Sequence, residues 1–473
     1  MGEKSLEKSE SAFLAFAKST GIFFVGNTLS KVITLLLIPL YTNTLPTTAY
    51  GYYDLSVTVC TLVTSFLYCD VWSSVMRLMR DDLDGEAPWK VVTAGWVIFG
   101  CSTVLFVLVC LLASLFFEIP ALGLIILYGL TTNIESMFSC IARGKGNNVD
   151  FAASGVLCTV INVGLNLALI LGIGMGYEAL YISYAAGFAS QCLYLAVRMR
   201  LWRHLALPTA GQIKELLVYS APLGVNSVAY WLLSSLSRVV VSTVLSLAAN
   251  GIFAIGSKFG STVALATTCF TLAWQDIAFT KEIRPASFYS SAVTQYSGFL
   301  LSCTAVLLPL ISLAFPILVG SGYDEAYAII PSFLWVAVAS AVSTFVGNIF
   351  YVIKDTKTIG VSMVISCILN VILIYPFTIW FECLGANLSV LFAFILNILL
   401  RLRILDRAIG MRVGWRSLAL PSILIVVTSI TYLTGLTAIN AFATAVVLVT
   451  VFFMYRDKAS LLIAGVTRRF GKE

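Results

Sequence analysis

Fourteen long apolar runs, separated by short connections, leave this chain little choice of fold. They lie at roughly 18–41, 50–76, 91–117, 120–142, 151–173, 177–200, 214–243, 251–279, 289–318, 326–353, 358–380, 384–405, 416–435 and 438–456. Each approaches or exceeds the roughly 20 residues a helix needs to cross a bilayer. None keeps a period-2 alternation, and backbone facing lipid must find its hydrogen bonds within its own segment, so helices are expected rather than barrel strands. Only 11% of residues are charged, against about one quarter in a soluble domain. The expectation is an all-α polytopic membrane protein with about 14 transmembrane helices and no separate soluble domain.

Charge gives the direction. Of 29 lysines and arginines, only Lys31, Arg238 and Lys258 fall well inside runs, and the other 26 lie in the termini, the even-numbered connections and the run ends that border them. These include Arg143 and Lys145, Lys354 and Lys357, and the stretch from Arg401 to Arg416. The odd-numbered turns carry only acids, among them Glu118, Glu178 and Glu382. By the positive-inside rule both termini are cytoplasmic. The net charge of +6 is thereby a membrane-surface signal and makes no case for nucleic acid. The N-terminal 18 residues mix Glu and Lys without an apolar core, so no cleavable signal peptide is expected. Eleven cysteines, nearly all inside apolar runs and without a CxxC pair, read as small core residues rather than a disulfide or metal framework.

A faint repeat appears at an offset near 200: residues 42–53 align with 242–253, matching Leu45 with Leu245, Ala49 with Ala249, Gly51 with Gly251 and Tyr53 with Phe253. It suggests a cytoplasmic segment 1–17, six-helix bundles over 18–205 and 206–405, and two appended helices with a tail over 406–473. Transporters built from repeats place their site between them.

A charge at bilayer depth costs about 2.5–3.5 kcal/mol on insertion scales and must face something other than lipid. Asn27, Ser30, Lys31 and Thr34 fall on one face of the first helix. Arg238 follows a stripe of Tyr230, Ser234 and Ser237, and Lys258 is flanked by Ser257, Ser261 and Thr262. Together they suggest a cationic pocket between the halves for an anionic ligand, a phosphate or pyrophosphate. The alternative pairs each cation with Asp70, Glu135 or a carbonyl, or lets it snorkel. Asp70 and Glu135 are candidates for proton or sodium coupling or, alternatively, structural partners of a lysine. No catalytic or metal constellation and no cofactor site is expected. There is no GxxxxGK[ST] loop, the single histidine, His204, sits in a basic loop, and Asp82-Leu83-Asp84 has no catalytic domain behind it.

The run Leu40-Tyr41-Thr42, Leu45 and Tyr50-Gly51-Tyr52-Tyr53-Asp54 resembles the first outer turn of the Wzx-type oligosaccharide flippases, the polysaccharide transporter family of the multidrug/oligosaccharidyl-lipid/polysaccharide exporter superfamily. Tyr219-Ser220, Pro222-Leu223, Asn226-Ser227, Trp231, Arg238, Asn250-Gly251-Ile252-Phe253, Lys258 and Ala273-Trp274-Gln275 are similar to the second half. The resemblance covers residues 18–280 by motif. It implies two pseudo-symmetric six-helix bundles plus two C-terminal helices in a bacterial cytoplasmic membrane. It also implies translocation of a polyprenyl-pyrophosphate-linked oligosaccharide to the outer leaflet by alternating access, for cell-surface polysaccharide synthesis.

Carried over, Lys31, Arg238 and Lys258 become head-group contacts, and Asn27, Asn226, Tyr230 and Ser234 become polar cavity residues. Membrane lipid, and the polymerase and glycosyltransferases of the same pathway, are the implied partners. Many relatives have Asp before the arginine where this chain has Ser237, which leaves Arg238 without an adjacent acid. The competing readings are a peptidoglycan-precursor flippase, a drug or cation exporter, whose cavity would carry carboxylates, and a membrane polymerase, which would need a long outer loop.

Overall fold

The structure is a computed structural model that describes residues 35–79, 87–203, 206–263, 267, 285–353 and 355–470. Asn27, Lys31, His204 and Asp82 to Asp84 lie outside the described residues, as do the 1–17 segment and most of the first span. Every described element is helical. In chain order they are α1 (Ile38–Thr44), α2 (Thr47–Tyr68), α3 (Val71–Leu78), α4 (Ala87–Ser114), α5 (Leu122–Gly144), α6 (Asn148–Leu167), α7 (Glu178–Met199) and α8 (Ala210–Ser234). They continue as α9 (Leu236–Val244), α10 (Leu247–Gly260), α11 (Ala286–Leu318), α12 (Ala326–Val352), α13 (Thr356–Ile409), α14 (Trp415–Leu433) and α15 (Thr437–Phe470).

Ten of the described helices are long and apolar enough to cross a membrane, eleven if the bent pair α2 and α3 is one span. The described residues do not establish the count of fourteen. Three departures from continuous spans are structural. The run 50–76 bends by 48° between α2 and α3, where Cys69 and Asp70 both adopt left-handed backbone, φ 49° and 52°. The run 214–243 breaks at Ser235 between α8 and α9. After α6 the chain widens into a π-turn over Ala168–Gly172. The start of α8 is conventional: Thr209 and Gln212 form a capping box, supplying partners that the first helical turn lacks.

With 54 residues, α13 would extend about 80 Å if straight, far beyond a hydrocarbon core of about 30 Å. It is instead a hairpin, folded at Glu382, where φ is 51° and ψ −135°. The arms face each other in antiparallel register: Ser389 Oγ donates to Asn370 Oδ1 at 3.0 Å, and Asn397 Nδ2 donates to the Ser362 carbonyl at 2.9 Å. A β-carbon on Gly385 would collide with the Phe377 carbonyl, which is why glycine serves at this close approach.

Packing divides the chain into two compact units, Met1–Ile255 with Met363–Val390, and Gly256–Ser362 with Leu391–Glu473. Membrane helices gain little from water exclusion against one another, so small residues and hydrogen bonds hold them. In the first unit Gly129 receives Phe106 and Cys60, and Gly187 receives the Cys158 carbonyl. There Trp231 Nε1 donates to the Thr58 carbonyl at 3.1 Å, tying α8 to α2. In the second unit Tyr296 stacks on Phe345 with ring centroids 4.2 Å apart, and Tyr327 stacks on Tyr432 at 4.3 Å.

The second unit also buries Arg401, 4% exposed. The sequence places this residue in a basic connection; the structure places it within α13, so that expectation is corrected. Its Nε donates to Ser362 Oγ at 2.9 Å, its Nη1 to the Ser343 carbonyl at 2.7 Å and its Nη2 to the Ile359 carbonyl at 3.3 Å. Gly347 leaves room for the guanidinium.

Candidate functional site

The two copies of the sequence repeat form two helix–turn–helix elements, α1–α2 and α9–α10, and in the first unit they cross. A β-carbon on Gly51 would strike the Leu247 carbonyl, and one on Gly251 would strike the Thr47 carbonyl. Each clash is the other shifted by the repeat offset, so the crossing is locally two-fold symmetric. Only glycine permits backbones this close. Asn250, fully buried, fastens the crossing by donating from Nδ2 to the Gly51 carbonyl at 2.9 Å.

One turn beyond Gly51, Asp54 meets Arg238. Arg238 Nε lies 2.9 Å from Asp54 Oδ2, the two side chains being 25% and 18% exposed. The Nε–H is not aligned for a hydrogen bond, so this contact rests on charge. Asn250 Nδ2 reaches the same Oδ2 at 3.3 Å. The position before the arginine carries no acid, but Arg238 is nonetheless paired, and the acid is Asp54 of the first repeat copy rather than Asp70 or Glu135. Partial burial strengthens such a pair over a surface one, and both side chains keep some exposure.

The other expected site residues are distributed differently. Tyr230 and Ser234 sit on the last turns of α8, with Ser234 Oγ donating to the Tyr230 carbonyl at 2.9 Å and the Tyr230 ring 55% exposed. The break at Ser235 separates them from Arg238 on α9, so the single stripe read from the sequence is interrupted. Asn226 lies within α8, and its side chain is outside the described residues. Lys258 belongs to the second unit, on the last turn of α10, where Ser261 Oγ donates to its carbonyl at 2.6 Å.

Asp70 caps the bend, its Oδ1 accepting from Ser73 Oγ at 2.8 Å. Glu135 Oε1 accepts from Ser139 Oγ and from Gln191 Nε2, the latter at 2.8 Å, joining α5 to α7. Among the described residues neither carboxylate forms an ion pair with Arg238 or Lys258.

Asp54, Asn250 and the paired glycines form contacts around Arg238 and the crossing that charge reading alone did not single out. The repeat alignment held the signal for the glycines, since it placed Gly51 opposite Gly251.

Residues 16–274 match the family model described as polysaccharide biosynthesis protein. No curated protein sequence matches the chain. Among solved structures, it is similar to the lipid II flippase MurJ in an inward closed conformation, with a TM-score of 0.68 and 14% identity over 93% of this chain and 100% of that one. It is also similar to an inward-facing multidrug resistance MATE family transporter of the MOP superfamily, with a TM-score of 0.64 and 14% identity over 80% of this chain and 95% of that one. A MOP superfamily transporter from Pyrococcus furiosus, whose binding pocket is described as having reverse polarity, aligns with a TM-score of 0.50 and 15% identity over 88% and 96% of the two chains. At these identities the likeness establishes the fold.

Proposed function

The chain belongs to the polysaccharide biosynthesis protein family, and from that membership and its multi-pass transporter fold we propose that it is a flippase for a polyprenyl-pyrophosphate-linked oligosaccharide. It moves the head group from the cytoplasmic to the outer leaflet of a bacterial cytoplasmic membrane by alternating access, while the lipid tail stays in the bilayer. The observation that carries this reading is the Arg238–Asp54 pair, set beside the symmetric crossing of the repeats.

A guanidinium binds pyrophosphate oxygens in a bidentate fashion. A pyrophosphate carries more charge than one carboxylate, so it displaces Asp54 from Arg238 and releases the charge contact between α2 and α9. Binding thereby acts on the arrangement that the pair holds, and a ligand shifts a conformational equilibrium only through such differential interaction. The resemblance supplies Lys31 and Lys258 as further head-group contacts and Asn27, Asn226, Tyr230 and Ser234 as polar residues for the sugars. Asp70 and Glu135 are the carboxylates available for ion uptake. The likeness of fold to the lipid II flippase supports one second reading, a peptidoglycan precursor as substrate, since it presents a pyrophosphate too.

The test is leaflet translocation in proteoliposomes, comparing a labelled polyprenyl-pyrophosphate oligosaccharide, lipid II and a cationic dye. The oligosaccharide is expected to move, and Arg238→Ala to abolish its movement while the protein keeps its melting temperature within a few degrees. Wild-type rates in that variant, or movement of the dye alone, would sink the reading.

A further inference from the structure

We propose that a polar cavity of the second unit holds the phosphate of an anionic phospholipid head group. The cavity, about 430 Å³, lies between the first turns of α11, the loop after Gly410, the start of α14 and residues Met454 and Tyr455 of α15. That volume falls within the range of small-molecule sites. Its α11 wall presents Ser290, Ser291, Thr294 and Gln295 along one face, the spacing of neighbours on a helix. Two of these hydroxyls pin the opposite wall: Ser290 Oγ accepts from the Arg412 amide and Thr294 Oγ1 from the Gly414 amide, each at 3.0 Å. The cavity is therefore preformed rather than a gap that a loop closes.

Its chemistry selects an anion with hydroxyl-bearing neighbours. Arg412 lines the cavity, and its guanidinium faces Asp406 at 3.4 Å, with side chains 86% and 49% exposed. So exposed a pair is worth about 0–1 kcal/mol, which a phosphate bound in bidentate fashion outcompetes. Arg416 and Arg456, each next to a lining residue, are exposed as well. Gly414 caps α14 without a side-chain bond, leaving the positive end of that helix open toward an anion. Ser291, whose Oγ accepts from Gln295 Nε2 at 2.8 Å and still has a proton to donate, and Ser417 offer hydroxyls for a glycerol head group.

The cavity sits on helices that also bear exposed apolar side chains, which favours a lipid over a free ion. Away from the cavity lining, α14 and α15 expose Ile423, Val427, Ile430, Val449, Phe452 and Phe453, apolar surface suited to acyl chains. Basic pockets between membrane helices bind anionic head groups in general. This site is separate from Arg238 and does not depend on the transport reading.

The experiment is native mass spectrometry and thermal unfolding of the full chain, delipidated and then given phosphatidylglycerol, phosphatidylcholine or inorganic phosphate. One phosphatidylglycerol should be retained per chain, about tenfold more strongly than phosphatidylcholine. Arg412→Glu and Ser417→Glu, both at exposed positions, should each remove that preference, and Arg407→Ala, exposed but outside the lining, should leave it intact. Equal retention of the two lipids, an unchanged preference in both glutamate variants, or stabilisation by inorganic phosphate equal to that by phosphatidylglycerol would overturn the proposal.

Discussion

Arg238 and Asp54 set the residue scale, because each makes the other tolerable in an apolar helix and neither is fully buried. Changing Asp54 to Asn removes the carboxylate charge and leaves the guanidinium open to pyrophosphate. The expected outcome in the proteoliposome assay is a lower apparent KM with a lower turnover, because the closing contact is lost. Unfolding should become easier by about 1 kcal/mol, the upper end of what a partly exposed ion pair contributes. Unchanged KM and turnover together would show that Asp54 does not compete with the substrate. Arg401 poses a different question, since its guanidinium reaches groups from Ser343, Ile359 and Ser362 at once. A lysine cannot span that fan of acceptors, so Arg401→Lys should lower the melting temperature, at a loss of about 2–3 kcal/mol, and a melt matching wild type would refute the clamp. The sequence exposes Arg238 as a cation in an apolar run, but its partner comes from a distant helix that charge reading cannot reach. Arg401 misleads for another reason: a basic residue near the end of a span reads as a head-group neighbour unless its packing is seen.

Elements were legible where an apolar run ends in an acid or a turn residue, and illegible where a run breaks inside itself. The hairpin at Glu382 follows from an acid between two apolar stretches. The bends at Cys69–Asp70 and Ser235 have no proline or glycine at the break, so nothing local announces them. The repeat was visible as a dozen loosely matched residues, and its meaning, two turns crossing at their glycines, appears only when the helices are packed. That crossing predicts opposite fates for two glycines. Gly51→Ala drives a β-carbon into a backbone carbonyl, which cannot swing away as a side chain does, so a loss near the upper end of the 1–3 kcal/mol typical of overpacking, about 3 kcal/mol, is expected. Gly155→Ala, on α6 with nothing within 4 Å of the added carbon, should instead stabilise by about 0.5–1 kcal/mol through helix propensity. Thermal melts of the two variants in the same detergent give the comparison, and equal shifts would remove the crossing as a close contact.

At the scale of the molecule, composition and the spacing of apolar runs carry the fold, because a bilayer leaves helices as the simplest way to pair every backbone group. The direction of transport rests on which side those helices face. Asp54 and Arg238 lie within two to three helical turns of the connections at 45–46 and 245–246, which are odd-numbered and free of lysine and arginine. If basic connections stay in the cytoplasm, the ion pair lies toward the outer face, and the proposed displacement of Asp54 would act on the side that export requires. Single cysteines in a cysteine-free background decide the matter in intact cells. A membrane-impermeant thiol reagent should label Glu118→Cys, in an acidic turn, and spare Asn147→Cys, beside Arg143 and Lys145, until the membrane is permeabilised. The reverse pattern would turn the molecule over and place the Arg238–Asp54 contact toward the cytoplasm. Pyrophosphate binding there would open the entry side instead, and the outward step would need a different group to drive it.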